Sequence, residues 1–395
     1  MTNTLRTTAA LCCFFVLTQT PKALANTVVW TQNQTPQTTT DDLTAAFRNP
    51  AGMSFMEPGF HLNLAGQVVA LDHQSTATEL TGEYAGNEYG PKLTGVVPYL
   101  SAAYVGDRWT FFGFTLVDAG SPDAISYDPA LLDFRAAGLG WVETELEIIS
   151  AVFTYNFGLS YKLTDTFAVS FVATIGNRID EVEVDIPKFA SHAEAEGQGH
   201  GLSAQVGVAY QPNDRWFFSA GAKSPMKIDP NVNLESLDRA SGMLAELATG
   251  VAVNTFRKTE IPWKLVGGAR YSVSPSWDVS AAVLCELWNS TADPALRNIL
   301  GVALGTDLQL TESFDVAAGI GYTTPPNKKK YATPTGSPNA PITLSVGAGL
   351  EFIEGHKLDL GAMLSTRPTW DVPEQGFEES NSTTFIFSLG YSLHI

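Results

Sequence analysis

Charged side chains are scarce in this chain of 395 residues: 16% are Asp, Glu, Lys or Arg, against about 25% in ordinary soluble domains. Basic residues are the scarcer kind, 23 Lys and Arg facing 41 Asp and Glu, so the formal net charge is −18. A surface of that sign repels phosphate backbones, which excludes nucleic acid as a partner. Cysteine is nearly missing. Cys12 and Cys13 fall within the first 25 residues, leaving Cys285 alone beyond them, so no internal disulfide can form there. Long apolar runs are missing too: past the N-terminus no stretch approaches the roughly 20 residues of a membrane-spanning helix. Mean hydropathy near zero excludes a polytopic helical membrane protein. There is no Gly-x-Ser-x-Gly elbow and the six His are scattered, so no catalytic residue and no enzyme activity are expected. What is plentiful is Gly (34), Phe (22), Tyr (12) and Trp (8), which suits one large β architecture better than two or three ordinary domains.

Residues 1–25 read as an export signal. Arg6 supplies the charge, Ala9 to Leu17 the short apolar run, and Ala23-Leu24-Ala25 the small-x-small cleavage pattern, with Asn26 the expected first mature residue. A lipid anchor on Cys12 fits poorly, because Leu11 is bulky where a small residue is needed. Export without disulfides or helical spans points to a bacterial envelope.

Period-two alternation then dominates. Phe385, Phe387, Leu389, Tyr391 and Leu393 share one face at the C-terminus, and Thr384, Ser388, Gly390 and Ser392 the other. The pattern recurs from Phe314 to Tyr322, from Trp277 to Leu287 and from Phe167 to Ile175. Strands of about ten residues, apolar on one side and ending in aromatics, suit a barrel whose outside meets lipid. Tight polar links at Val105–Arg108, Leu163–Asp165, Gln211–Asp214, Ser274–Ser276, Leu310–Glu312 and Ile353–His356 separate such strands. Trp109, Phe167, Trp216, Trp277, Phe314 and Leu358 follow them, as at a membrane interface. Six turns join twelve strands, and one more at each end makes an all-β, antiparallel transmembrane barrel of about fourteen, an even number as bacterial barrels require. The other connections, Gly120 to Ile148, Asp180 to Gly199, Ser224 to Thr255 and Pro325 to Pro341, read as long outer loops, the third with a short helix between Asn231 and Val253 carrying Leu234, Leu237, Leu244, Leu247 and Val251.

Asp41 to Met53, with Asn49-Pro50-Ala51 at its centre, precedes the first strand and resembles the N-terminal plug motif of the outer-membrane long-chain fatty acid and aromatic hydrocarbon transporters, the FadL/TodX family. Ile261 to Tyr271 resembles that family's Pro-to-Gly-to-Tyr strand, and Ala318 to Tyr322 with Pro325-Pro326 its Gly-Tyr-Pro strand end. The resemblance implies a monomeric fourteen-stranded barrel in the outer membrane, divided into signal 1–25, hatch (plug) 26–58 and barrel 59–395, that passes hydrophobic molecules by diffusion without a cofactor. It also implies a kink in the third strand that opens the wall sideways, placed here at Phe112 and Gly113, where the alternation after Trp109 and Phe111 slips to an outward Phe114 and Leu116. The chain departs from the family in its Gln/Thr-rich stretch Asn33 to Thr40 and in ending on Ile395 instead of Phe.

A fatty acid needs a cation for its carboxylate. By alternation Arg178, Lys264, Arg270 and Glu286 point inwards. Lys264 and Arg270 are read as partners of Asp278, Glu286 or Asp315 in a structural lumen network. The resemblance singles out Arg178 and Arg297 as headgroup candidates, and each stays open between that role and a structural one. Long-chain fatty acids are accordingly the expected passengers, with aromatic hydrocarbon uptake, a general porin and a purely structural barrel as alternatives. His192, Glu194, Glu196 and His200 fit no standard metal spacing and read as a solvated acidic loop, so no metal is expected. Lys328-Lys329-Lys330 could meet lipopolysaccharide phosphates, the remaining expected partner besides outer-membrane lipid.

Overall fold

The computed structural model describes residues 43, 45–76, 88–89, 92–133, 141–187, 191–237, 259–291, 296–325, 340–372 and 377–395. The export signal, the Gln/Thr-rich stretch and Lys328–Lys330 lie outside the described residues. Fourteen strands form the wall: β1 (Gly59–Thr76), β2 (Lys92–Val105), β3 (Trp109–Asp133), β4 (Trp141–Thr164), β5 (Phe167–Ile186), β6 (Ser191–Asn213), β7 (Trp216–Lys223), β8 (Lys264–Ser274), β9 (Trp277–Glu286), β10 (Ile299–Thr311), β11 (Phe314–Thr323), β12 (Ile342–Ile353), β13 (His356–Val372) and β14 (Phe377–His394). Each pairs antiparallel with its neighbours, and β14 returns to β1, with Ala65 opposite Gly390, so the sheet closes into a ring. Closure leaves the wall without an open edge. All six short turns fall where the polar links stand, and Gly355 in the last of them takes φ 77.

Alternation sorts the side chains. Leu64, Val68, Leu202, Leu304 and Phe387 are exposed outward, while Asn63, Gln67, Asn156 and Thr174 are buried inward. Trp109 and Trp216 stay at the turn end of the belt, Trp109 tilted against Tyr161 at 4.3 Å and Trp216 stacked on Phe218 at 5.3 Å between ring centroids. Such a band of apolar side chains with aromatics at its rim suits contact with lipid.

Two of the expected loops are strand. Gly120 to Asp133, Trp141 to Ile148, Asp180 to Ile186 and Ser191 to Gly199 continue the walls of β3 to β6. The reason lies in the outward face. Val142, Leu146, Val182 and Val184 still alternate inward, but their outward neighbours are Glu145, Glu147, Glu181 and Glu183, so the apolar signal of a lipid-facing strand stops while the period of two persists. The expected helix is also corrected over its first turns. Asn231–Leu237 is a strand on the upper edge of β6, with Asn231 opposite Gln198. Above Lys223, β7 no longer covers that edge, and pairing its backbone groups outweighs the helical spacing of Leu234 and Leu237. The rest of the expected helix lies outside the described residues. A ribbon of Met226–Ile228 and Thr259–Ile261 packs against the inner wall through Met226, Ile228, Ile261 and Val152. Gly176 and Gly201 make room for it, since a Cβ at either would collide with Met226 or Ile228.

Candidate functional site

Inside the wall sits a short segment from the N-terminal side of β1. A four-residue helix, Ala45–Arg48, runs into a 3-10 turn, Pro50–Phe55, and both are almost wholly buried. Pro50 opens the turn, where its missing N–H costs nothing. Asn49 joins the two elements and anchors them. Its side-chain oxygen accepts from Ala51 N–H at 3.3 Å, and its amide donates to Val208 O on β6 at 2.7 Å. Gln205 donates to Arg48 O at 2.9 Å. A Cβ on Gly207 would overlap the Asn49 amide, so the glycine leaves the space in which that amide sits. Asn49, Pro50 and Ala51 therefore form a docking point on the inner wall.

Docking sets Phe47 in an aromatic slot. Its ring lies 4.4 Å from Tyr99 and 5.4 Å from Phe114, with Phe112, Leu116, Met53 and Val172 in the same apolar cluster. Gly158 lacks the Cβ that would strike the Phe112 ring. Beside the slot the wall ladder is broken. Leu100 of β2 pairs with Thr115 of β3, but the next registered pair is Lys92 with Ser126. Pro98, which has no N–H to give, falls in the stretch between.

The expected kink is displaced. Register through Phe112 and Gly113 is continuous with both neighbours, and the slip against β4 lies between Val117 and Ala119. Phe114 and Leu116 face the interior, 4% and 7% exposed, and the alternation breaks at Val117, which is buried as well. Outward placement of Phe114 and Leu116 assumed that only lipid would want them; here they line the slot that holds Phe47.

A cavity of about 840 Å³ begins at the slot, where Phe47, Tyr99, Leu43 and Met56 line it, and becomes acidic towards the short turns, where Asp278, Asp307, Asp315, Asp359, Arg270 and Lys357 line it. Lys357 bridges Asp315 at 2.7 Å and Asp359 at 3.4 Å. Arg270 lies 3.7 Å from Asp278 and 5.2 Å from the Phe217 ring centroid. Lys264 lies 3.9 Å from Glu286, which also accepts from Trp288 Nε1 at 2.8 Å. These pairs make the lumen network expected for Lys264 and Arg270. The two headgroup candidates have partners as well. Arg178 meets Asp180 at 2.6 Å, both buried, with Ser150 donating to the same carboxylate at 2.7 Å, and Arg297 donates to Pro325 O at 2.8 Å.

His192, Glu194, Glu196 and His200 do not gather. His200 bonds Asn177 at 2.7 Å, whereas His192 joins Glu183 and Asp185 from the neighbouring strand. Sequence spacing along β6 could not reveal that cross-strand set. The hydrogen bond that the His192 ring donates to the Asp185 carboxylate holds the His192 pKa above its ordinary value.

No protein-family model matches the chain, nor does any curated relative. Solved structures do. A FadL homologue of Pseudomonas aeruginosa superposes with a TM-score of 0.69 at 15% identity, over 92% of this chain and 98% of that one. The toluene transporters TbuX of Ralstonia pickettii and TodX of P. putida give 0.62 and 0.60, each at 14% identity over 90% of this chain and 94% of theirs. At such identities the likeness speaks of architecture, and closed ring and strand number agree: the chain has the fold of the FadL-like outer-membrane barrels.

Proposed function

We propose that this protein is a bacterial outer-membrane channel, not an enzyme, for passive uptake of hydrophobic compounds, and that it favours neutral passengers over long-chain fatty acids. The observation that carries the reading is Phe47 in an aromatic slot beside the interrupted β2–β3 ladder. A passenger of similar shape takes the place of the Phe47 ring, gains the same burial, and leaves sideways through the gap into the bilayer. It need not cross the acidic cavity, where an apolar molecule would lose its contacts and a carboxylate would meet like charge. The fatty-acid reading rested on Arg178 and Arg297, and both already hold partners, Asp180 in the wall and the Pro325 carbonyl beyond β11. The apolar outer belt and its aromatic rim support the membrane location, and the solved neighbours described as toluene transporters support the class of passenger.

The test is equilibrium binding of toluene, methyl oleate and oleate to the delipidated, detergent-purified protein. Toluene and the ester should bind, and oleate should bind no tighter than its ester. Oleate favoured tenfold over the ester, with the preference lost in Arg178→Ala/Arg297→Ala, would restore the fatty-acid reading. Binding of none of the three, with steady conductance in planar bilayers, would make the protein an open porin instead.

A further inference from the structure

The outer extension of β4 to β6 carries a side-chain set that transport does not use. Along β5 the outward positions change from Ile175 and Ile179 to Glu181, Glu183 and Asp185, just above the apolar belt. Neighbouring strands follow suit. Glu145 of β4 stands opposite Asp185, and Asp185 opposite His192 of β6; Glu147 stands opposite Glu183, and Glu183 opposite Glu194. Like charges directly opposite on one face of a sheet destabilise it, so this arrangement gains from a bound cation.

Within those rows one group is more than an acidic surface. Glu183, Asp185 and His192 each present a ligand atom, all within 4.8 Å of one another. The His192 Nδ1 lies 2.9 Å from an Asp185 oxygen and 3.9 Å from a Glu183 oxygen, so one ring nitrogen faces both carboxylates. The strands that carry them are paired residue by residue from Phe167 to Ile186, which holds the three side chains in register before any ion arrives. One imidazole with two carboxylates is a ligand set suited to divalent first-row ions, which hard oxygen-only sites for calcium or magnesium lack. Ligand atoms around such an ion sit about 2.0–2.2 Å from it, so the group closes by roughly an ångström through side-chain rotation alone.

We propose that Glu183, Asp185 and His192 form a divalent metal site of the zinc or manganese class on the outer face of the β5–β6 hairpin, with water completing the coordination. Coordination requires Nδ1 without its proton. Glu145 and Glu147 from β4 and Glu181 and Glu196 beside them add to the negative field that attracts ion and proton alike. Metal and proton therefore compete at one nitrogen, and affinity falls as pH falls.

Isothermal titration of Zn²⁺ and Ca²⁺ into the chelator-stripped, detergent-purified protein tests this at pH 7.5 and pH 5.5, independently of uptake. The expected result is one saturable Zn²⁺ site at pH 7.5, at least tenfold weaker at pH 5.5, in His192→Ala and in Glu183→Gln/Asp185→Asn, with Ca²⁺ much weaker throughout. Heat-modifiable mobility on gels shows that each variant keeps its barrel. No saturable Zn²⁺ site, or a site unaffected by His192→Ala, or Ca²⁺ bound as tightly as Zn²⁺, would overturn the proposal and leave a diffuse acidic surface.

Discussion

Replacing Phe47 by alanine isolates the energetics of the inner segment. The ring is 9% exposed and is held by Tyr99 at 4.4 Å and Phe114 at 5.4 Å. Truncating a buried Phe to Ala costs about 3–5 kcal/mol, of which each aromatic pair contributes roughly 0.5–1.5. None of the wall ladder runs through Phe47, so the whole loss falls on the docking of residues 45–56. At about 1.4 kcal/mol per tenfold, the open population should rise by roughly two to three and a half orders of magnitude. Hydrogen exchange of the amides of Asn49, Gly52 and Met56 reads this directly, since each is bonded within the segment, at 2.8, 3.1 and 3.2 Å. Exchange there should accelerate by at least a hundredfold in Phe47→Ala and by about tenfold in Phe47→Leu, which keeps most of the apolar volume. Strands β8 to β13 should exchange as before. Exchange within threefold of wild type at those three amides, or equal acceleration in the wall, would refute the idea that Phe47 holds a separately opening segment.

Two further substitutions test the space around that segment and the turns. Gly207→Val should expel Asn49 from its recess and speed exchange over residues 45–56, whereas Gly267→Val, whose Cβ meets only ordinary contact with Ser219 O at 3.7 Å, should not; similar exchange in both would remove the recess argument. Gly355→Ala places a side chain at φ 77 against His394 O, so about 1–2 kcal/mol of stability should be lost, seen as a lower urea midpoint for refolding into detergent. An unchanged midpoint would mean that the turn relaxes to another conformation.

The wall was legible because its residues obey one rule locally. Phe385 to Leu393 or Trp277 to Cys285 announce lipid on one face, and the turn chemistry of Ser274–Ser276 or Gly355 marks where the chain reverses. That legibility ended where the rule's cause ended. Above the belt, Glu145 and Glu183 replace Ile and Phe, so strand looked like loop although Leu146 and Val184 continued to point inward. At β3, Phe114 and Leu116 read as lipid-facing because nothing nearby in sequence shows Phe47 approaching from the other side. The site was legible only in part for the same reason. Asn49-Pro50-Ala51 stands out as a triplet, but its partners Gln205, Gly207 and Val208 lie far along the chain. Alternate glycines at Gly197, Gly199 and Gly201 were the one local hint that something packs closely on β6, and Ile228 does so.

The unequal strand lengths have a mechanical consequence. β3, β4, β5 and β6 run 25, 24, 20 and 23 residues, while β8, β9 and β11 run 11, 10 and 10. A barrel drawn from the membrane by a terminus comes apart hairpin by hairpin, and the work of each step follows the number of ladder bonds broken. Pulled from the C-terminus, this one should first release β14 and β13, 18 and 17 residues long, and then yield in short, low-force steps through β12 to β8. It should then stall at the tall quarter of the wall, so that the half-extracted protein, with β3 to β6 still standing, is a long-lived species under tension.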